Sequence, residues 1–345
     1  MDTQTTTQRN RQIDFLKEMS QIQGSGRIQW LDSLKGILIL FVILHHSYPA
    51  EIYRRMYTPF FLTMFFFASG YTFSPKENFR MFLKSKWKRL LCPFFTLGLV
   101  RVLMAYILEG GSFTKRLIGF VLQRSCMYDE MWFVSCLFTC SLLFYLIVRI
   151  SEHIDSKWDN YVVLGISLVF TALGMADMCI WRFKLIWEAE IACMMSFYMG
   201  LGYLARKKQA YLEKWLNRPL WLSGLTGIYF ILVFLVPNDV DIHLEKFSYP
   251  VLFFASSILI LFPIVYLAKR ISRFRWNRYL AFIGRNTLFY YSFAGIVRIL
   301  LYSVLNHFNI SDIYIQPLVC VLLTAVLLAW PAWFTRRYFP WAVGA

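Results

Sequence analysis

Long apolar runs alternate with short polar segments along almost the whole chain, and the run lengths predict its elements. Ten runs stand out, at about residues 29–48, 57–74, 89–108, 131–150, 161–176, 183–204, 219–236, 249–268, 286–305 and 316–335. Most approach the roughly 20 residues that a helix needs to cross the hydrocarbon of a bilayer. Sustained period-two alternation is weak, which argues against a β-barrel. The pattern therefore predicts an all-α, polytopic integral membrane protein with about ten transmembrane helices. The sixth run is irregular at its start, because Asp177, Arg182, Lys184, Glu188 and Glu190 crowd its approach. That helix is expected to begin late or to be partly re-entrant. Residues 1–26 are polar and rich in Gln, Thr and Ser, with no apolar core for secretion. They read as a disordered cytoplasmic tail, with a surface helix around residues 13–22. Residues 27–338 read as one membrane domain, with no linker and no visible inverted repeat.

Charge orients these spans. Lys76, Arg80, Lys84, Lys86, Lys88 and Arg89 fill one loop. Arg206, Lys207, Lys208, Lys214 and Arg218 fill a second, and Lys269, Arg270, Arg273, Arg275 and Arg278 a third. With ten spans these loops share one side. The opposite loops are poorer: 237–248 has only Lys246 against Asp239, Asp241 and Glu245, and 306–315 has no Lys or Arg. Basic loops stay inside, so both termini are expected in the cytoplasm of a cell (plasma or inner) membrane.

Composition narrows the class. Hydrophobic residues make up 58% of the 345 positions and charged ones 16%, which is not the balance of an ordinary soluble protein. The net charge of +16 would suit a nucleic-acid partner. Its concentration in short loops makes it a topology signal instead, so the lipid bilayer is the expected partner and no nucleic acid is. The seven cysteines lie mostly in or beside apolar runs and form no Cys-x-x-Cys pair. Neither a metal nor a disulfide is expected from them. Cys136 and Cys140 share a helical face, which packing explains.

The first span carries the candidate chemistry. Between Trp30 and His46 it is apolar enough to enter a membrane, yet it holds Asp32, Lys35, His45 and His46. Lys35 and His46 are eleven residues apart, roughly 20° beyond three full turns, so they share one stripe about 16 Å apart along the axis. Ionisable groups inside a membrane helix are costly, and mark functional sites by default. The competing reading is plain: Asp32 and Lys35 at one interface, His46 capping the far end.

Several short motifs resemble those of the membrane acyltransferase-3 family, in the branch similar to fucose 4-O-acetylases. Asp32-Ser33-Leu34-Lys35-Gly36-Ile37, followed by His46-Ser47, resembles its opening element of a basic residue, ten residues and a histidine. Met64-Phe65-Phe66-Phe67-Ala68-Ser69-Gly70-Tyr71 is similar to its aromatic Ser-Gly element. Trp87-Lys88-Arg89-Leu90-Leu91-Cys92-Pro93 resembles its Arg-Leu-x-x-Pro entry to the third helix. Met131-Trp132-Phe133 resembles the start of the fourth, and Gly284-Arg285-Asn286-Thr287-Leu288 with Tyr291 a late element. The order matches over about residues 27–335. Two positions depart from the pattern. Lys35 stands where many members carry Arg, keeping the charge but losing the planar fork. Ala294 stands where many carry a histidine.

The resemblance implies an integral membrane O-acyltransferase that uses cytoplasmic acyl-CoA as donor (acetyl-CoA in the first place) and modifies a carbohydrate acceptor, an envelope or exported polysaccharide. Acyl transfer to a hydroxyl needs a base, and histidine is suited to it. His46 is the candidate base, and Ser69 the group that polarises the thioester carbonyl. His45 points about 80° away from the stripe and reads as a packing residue. Lys35, Arg89, Arg285 and Asn286 are candidates for the donor, the cations meeting phosphates and Asn286 capping a helix whose amino end faces an anion. For any single loop cation, topology alone is the competing account. Tyr71, Trp132 and Tyr291 are candidates for stacking on a sugar, against the alternative of an interfacial aromatic belt. Glu130 stands on the acceptor side or, like Glu188 or Glu190, orients the imidazolium. Glu188 and Glu190 cannot share a helical face, so at most one would point at His46. His153, His243 and His307 fall in loops and are not assigned to catalysis. Arg101 and Arg298 lie within spans, with acids or a glycan as candidate partners.

Other classes use similar parts. A transporter or flippase for lipid-linked sugars would want alternating access and usually an internal repeat. A glycan polymerase typically carries a long outer loop, and the longest here, about 109–130, is modest. A scaffold for an envelope complex is a third alternative. The acceptor, the acyl length and any homo-oligomer stay open at this level.

Overall fold

The computed structural model describes residues 28–74, 78–124, 131–154 and 157–345. The tail, with the helix expected around residues 13–22, and Glu130 lie outside the described residues. The elements are α1 (Gln29–His46), α2 (Glu51–Tyr57), α3 (Thr63–Tyr71), α4 (Phe79–Lys86), α5 (Cys92–Glu109), α6 (Phe113–Leu122), α7 (Trp132–Ser151) and α8 (Asp159–Ala176). They continue with α9 (Ala189–Lys207), α10 (Gln209–Leu216), α11 (Pro219–Leu235), a hairpin of β1 (Val240–Asp241) and β2 (Lys246–Phe247), α12 (Pro250–Ile271), α13 (Asn277–Arg285), α14 (Thr287–His307), α15 (Gln316–Leu327) and α16 (Ala329–Tyr338).

The all-α membrane class holds. Among the described residues, six helical segments are long and apolar enough to cross a bilayer: Phe79–Glu109, Trp132–Ser151, Asp159–Trp181, Pro250–Ile271, Thr287–His307 and Gln316–Tyr338. A seventh counts if α10 and α11, bent by 80° at their junction, form one span. The other expected spans map to elements of a different kind. Helix α1 carries Asp32 and Lys35, α3 has 9 residues, and α9 carries Glu190, Arg206 and Lys207. These helices pack among other helices of the chain over much of their surface. Much of α1, α3 and α9 is buried within the bundle, including Leu34, Leu38, Phe66, Phe67, Met194 and Met199.

Helices in hydrocarbon gain little from hydrophobicity alone, so close backbone packing holds them together. Two glycine pairs do this here. A Cβ on Gly36 would lie 2.1 Å from the Leu280 carbonyl oxygen, and one on Gly284 1.7 Å from that of Asp32. Helices α1 and α13 therefore touch backbone to backbone. In the same way a Cβ on Gly70 would lie 1.9 Å from the Met199 oxygen, and one on Gly202 2.0 Å from that of Phe67. That seam joins α3 to α9. The motif glycines are thus explained by packing, and they fix what lies beside them: Lys35 and Arg285 flank the first seam, Ser69 and Tyr71 the second.

Two irregular turns have local causes. Between α4 and α5 the chain widens into a π-turn, Trp87–Leu91. Pro93 has no N–H to offer the Arg89 carbonyl four residues back, and its ring crowds it. The Arg-Leu-x-x-Pro spacing thus marks a wide turn carrying Lys88 and Arg89. Before α9, Trp187 and Glu188 are left-handed, with φ of 60° and 51°. Two consecutive non-glycine residues there cost of order 1–3 kcal/mol each and need to be held by their surroundings. The Trp187 indole supplies a hold by donating to the Val121 carbonyl at 2.9 Å. This break ends the late-start question: the helix begins at Ala189, and Glu188 is turned inward ahead of it.

Candidate active site

A large cavity, about 1980 Å³, runs beside α1 from Asp32 to His46. Lys35, His46, Ser69, Tyr71, Arg89, Trp132, Arg285, Asn286 and Tyr291 all line it. The spacing argument on α1 explains its length, since Lys35 and His46 share one stripe. Leu31, Ile39 and Val42 line the cavity on the same helix. The helix ends beyond His46, where Tyr48 turns left-handed at φ 47° ahead of Pro49. Tyr302 donates to the Ser47 carbonyl and ties that end to α14.

One end is strongly cationic. Lys35, Lys84, Lys86, Lys88, Arg89, Arg206 and Arg285 line it, with Asp32 among them. Lys86 reaches inward, donates to the Ser141 hydroxyl at 3.1 Å, and sits 5.8 Å from the Phe73 ring centroid. Arg206 lies over the Tyr71 ring at 5.6 Å. Lys84, Lys86 and Arg206 had been read as loop charge, and the structure adds them to the cavity wall. Their common signal was position: all sit within one or two turns of an apolar run.

The other end holds imidazoles and aromatic rings. His45 packs against Phe61, with centroids 5.3 Å apart, and also lines the cavity. Around His46 stand His45, Arg101, Arg298 and His243. Arg101 donates to the Ser292 carbonyl at 2.7 Å, and Arg298 lies over the Tyr48 ring at 4.9 Å. The hydroxyl of Tyr291 accepts from the Phe133 amide at 3.4 Å, linking α14 to the start of α7.

Several expectations are redistributed. Helix α3 runs antiparallel to α1: Phe61, ahead of its start, meets His45, whereas Tyr71, its last residue, meets Trp30 at 5.0 Å. Ser69 and Tyr71 therefore sit at the cationic end, away from His46 and Trp132. Asn286 does not cap α14 through its side chain. Its amide donates to the Phe282 carbonyl at 2.8 Å, and its buried carbonyl oxygen has no hydrogen-bond partner among the described residues. Glu188 and Glu190 do converge, because the helix is broken between them. Their carboxylates and that of Glu245 lie within 4.8 Å of one another, and Lys184 pairs with Glu245. Glu188 faces His243, with 3.8 Å from Oε1 to Nδ1.

His243 is the residue that sequence reasoning passed over. Its ring stacks on Trp132, centroids 4.6 Å apart and planes at 21°. The only signal available was its place between Asp241 and Glu245 in a cation-poor loop.

A cavity with cations at one end and histidines at the other suits joining an anionic donor to a second substrate. The family model described as an acyltransferase domain, acyltransferase-3, matches residues 28–336. The chain belongs to that family. No curated protein matches it. This membrane acyltransferase thus carries its five motifs along one cavity: all five supply wall residues, and the glycines of three of them, Gly36, Gly70 and Gly284, set the seams that hold the wall. Family membership leaves the branch, donor and acceptor to the site itself.

Proposed function

We propose that this acyltransferase moves an acetyl group from acetyl-CoA to a hydroxyl of a carbohydrate, as an O-acetyltransferase of an envelope or exported polysaccharide. The observation that carries the reading is the cavity's polarity: seven cations at one end, and His46 with Trp132 at the other. Phosphates are too costly to bury in a bilayer, so the nucleotide stays at the basic mouth. Lys35, Arg89 and Arg285 hold it, with Lys86 and Arg206 beside them and the free oxygen of Asn286 facing a donor N–H. The thin pantetheine arm threads the cavity toward His46. In this reading Ser69 and Tyr71 line the arm's path, and Trp132 and Tyr291 belong to the acceptor.

His46 takes the proton of the acceptor hydroxyl as its oxygen attacks the thioester carbon. The carbon–sulfur bond breaks, and the same imidazole returns the proton to the departing thiolate. Acyl group and proton both change partners, and no net proton is consumed. If α1, α3, α9 and the α10–α11 pair cross the bilayer beside the six long apolar segments, the chain has ten spans, and basic loops on the inside would put both termini in the cytoplasm and the basic mouth toward the donor pool.

Purified protein in nanodiscs, given acetyl-CoA labelled in its acetyl group, should pass label to a glycoside and release free CoA. Movement of a lipid-linked sugar across the bilayer with no consumption of acetyl-CoA would favour a flippase and defeat this reading.

A further inference from the structure

Two arginines stand inside apolar helices, and the acyl transfer derived above uses neither. Arg298 is the twelfth of the 21 residues of α14, and Arg101 the tenth of the 18 of α5. Both helices belong to segments long and apolar enough to cross a bilayer, and both arginines are half-buried. Cations so placed are costly, and by default they mark a ligand or a pathway.

They line a small second pocket between those helices, of about 60 Å³, with Ala105, Glu109, Gly295 and Ile299. That is room for about four water-sized atoms, which suits a compact anionic head and excludes a sugar ring. The carboxylate in this wall, Glu109, pairs with Arg116 at 3.0 Å. Arg101 is anchored by its bond to the Ser292 carbonyl, at 2.7 Å. Arg298 is held differently. Among the described residues it makes no ion pair, and its buried Nε has no hydrogen-bond partner. Its guanidinium lies over the Tyr48 ring at 4.9 Å. Tyr48 follows closely on the end of α1, is 70% exposed and lines the large cavity. The Arg298 side chain thus runs from mid-helix to the level at which α1 ends, as long basic side chains in a bilayer do. It stands between the small pocket and the His46 end of the large one.

The ligand's character follows from the surroundings. Leu108 of α5 and Leu300 and Val304 of α14 are exposed, so these helices meet hydrocarbon. A ligand that reaches the pocket sideways has a lipid chain and an anionic head. A carboxyl head would tend to take up a proton in apolar surroundings, whereas a phosphate ester keeps its charge. Its oxygens also match the planar donor fork of arginine.

We propose that Arg298, with Arg101 beside it, binds the phosphoryl head of a membrane lipid, and that the carbohydrate acceptor is carried on such a head and enters toward His46 sideways from the bilayer. This rests on the acyl-transfer reading above and names the form in which the acceptor arrives. The phosphoryl group stays on Arg298 while the attached sugar extends past Tyr48 into the large cavity. The head sits opposite a cation at the rim of the bundle, unlike the nucleotide of the donor, which stays at the basic mouth.

The test uses the whole protein in nanodiscs of phosphatidylcholine. Radiolabelled farnesyl phosphate is the binding probe, and farnesol its uncharged control. Arg298→Gln should weaken farnesyl phosphate binding roughly 10- to 100-fold, as for loss of charge-assisted hydrogen bonds, and Arg298→Lys should recover part of the loss. Farnesol should not tell the variants apart. Gly295→Val fills the pocket without removing a charge, since the nearest atoms a Cβ there would meet are those of the Arg101 guanidinium, at 3.5 Å. It should weaken binding too, and it decides the matter where Arg298→Gln does not fold. A second arm compares acetyl transfer to farnesyl-phosphoryl-glucose and to octyl glucoside. The wild type should prefer the phosphoryl lipid, and Arg298→Gln should lower that preference with the KM for octyl glucoside in place. A purely structural role would move both acceptors alike. Equal farnesyl phosphate binding by the wild type and the folded variants overturns the anion site. Arg298-dependent binding with no preference for the phosphoryl sugar would assign the site to bulk phospholipid and overturn acceptor delivery. Wild-type protein that never consumes acetyl-CoA would defeat the acyl-transfer reading instead, and the binding arm would still decide Arg298.

Discussion

Replacing Gly284 with alanine tests whether the α1–α13 seam sets the donor site. The new Cβ would lie 1.7 Å from the Asp32 carbonyl oxygen and 2.8 Å from the Gly36 nitrogen. Real contacts of this kind stay beyond 3.0 Å, so the two backbones must part by at least 3.0 − 1.7 = 1.3 Å. Neither partner is a flexible side chain that can swing away. Overpacking of this sort costs about 1–3 kcal/mol of stability. The same displacement separates Lys35 from Arg285, and a shift of about 1 Å at a positioning element can cost roughly 100-fold in rate. Gly224→Ala is the control: nothing lies within 4 Å of its Cβ, and in the interior of α11 alanine should be neutral or slightly stabilising. Thermal unfolding in nanodiscs reads the first effect, and labelled acetyl transfer with donor KM the second. Gly284→Ala with the melting temperature and donor KM of the parent would refute the seam as the frame of the site.

Three further outcomes are expected. His46→Ala should lower acetyl transfer by about 100- to 10,000-fold with the protein still folded, measured by release of CoA, and near-normal turnover would remove His46 as the base. Lys35→Ala should raise donor KM more than it lowers the saturated rate, because it removes a ground-state phosphate contact, whereas Lys35→Arg should stay active; equal donor affinity in all three proteins would confine Lys35 to topology. In a background without native cysteines, Cys at position 241 should react with an impermeant reagent from outside and Cys at position 78 should not, and the reverse pattern would turn the donor mouth outward.

What was legible in the chain was what depends on local periodicity. The eleven-residue spacing of Lys35 and His46 on an apolar helix foretold one continuous stripe, and that stripe lines the cavity. Asn286, Arg285 and Tyr291 joined it because a late motif keeps them together. The misplacements came from chain direction and from helix breaks. Ser69 was assigned to the thioester carbonyl beside His46, but the second apolar run returns toward the basic loop, so the antiparallel α3 carries Ser69 to the cationic end. Glu188 and Glu190 looked incompatible while the helix was taken as unbroken, but the left-handed pair at Trp187 and Glu188 brings their carboxylates together. His243 was out of reach for a different reason. Its importance comes from contact with Trp132 and Glu188, which are far from it in sequence, and no local pattern announces such a meeting. Only six or seven of the ten expected spans stand out by length and apolarity for a related reason: α1, α3 and α9 lie among other helices, so they can carry charge or be short.

The two glycine seams separate what the molecule must keep from what it can change. Each contact is main chain against main chain, so its tolerance depends on bond geometry and not on which side chains face the cavity. The wall can then be rewritten residue by residue, with a larger sugar admitted or a longer acyl chain accommodated, while the helices hold the same register. Laboratory evolution of this protein should accordingly gather its gains at positions such as Leu244, Leu137 and Phe65, and leave Gly36, Gly70, Gly202 and Gly284 untouched.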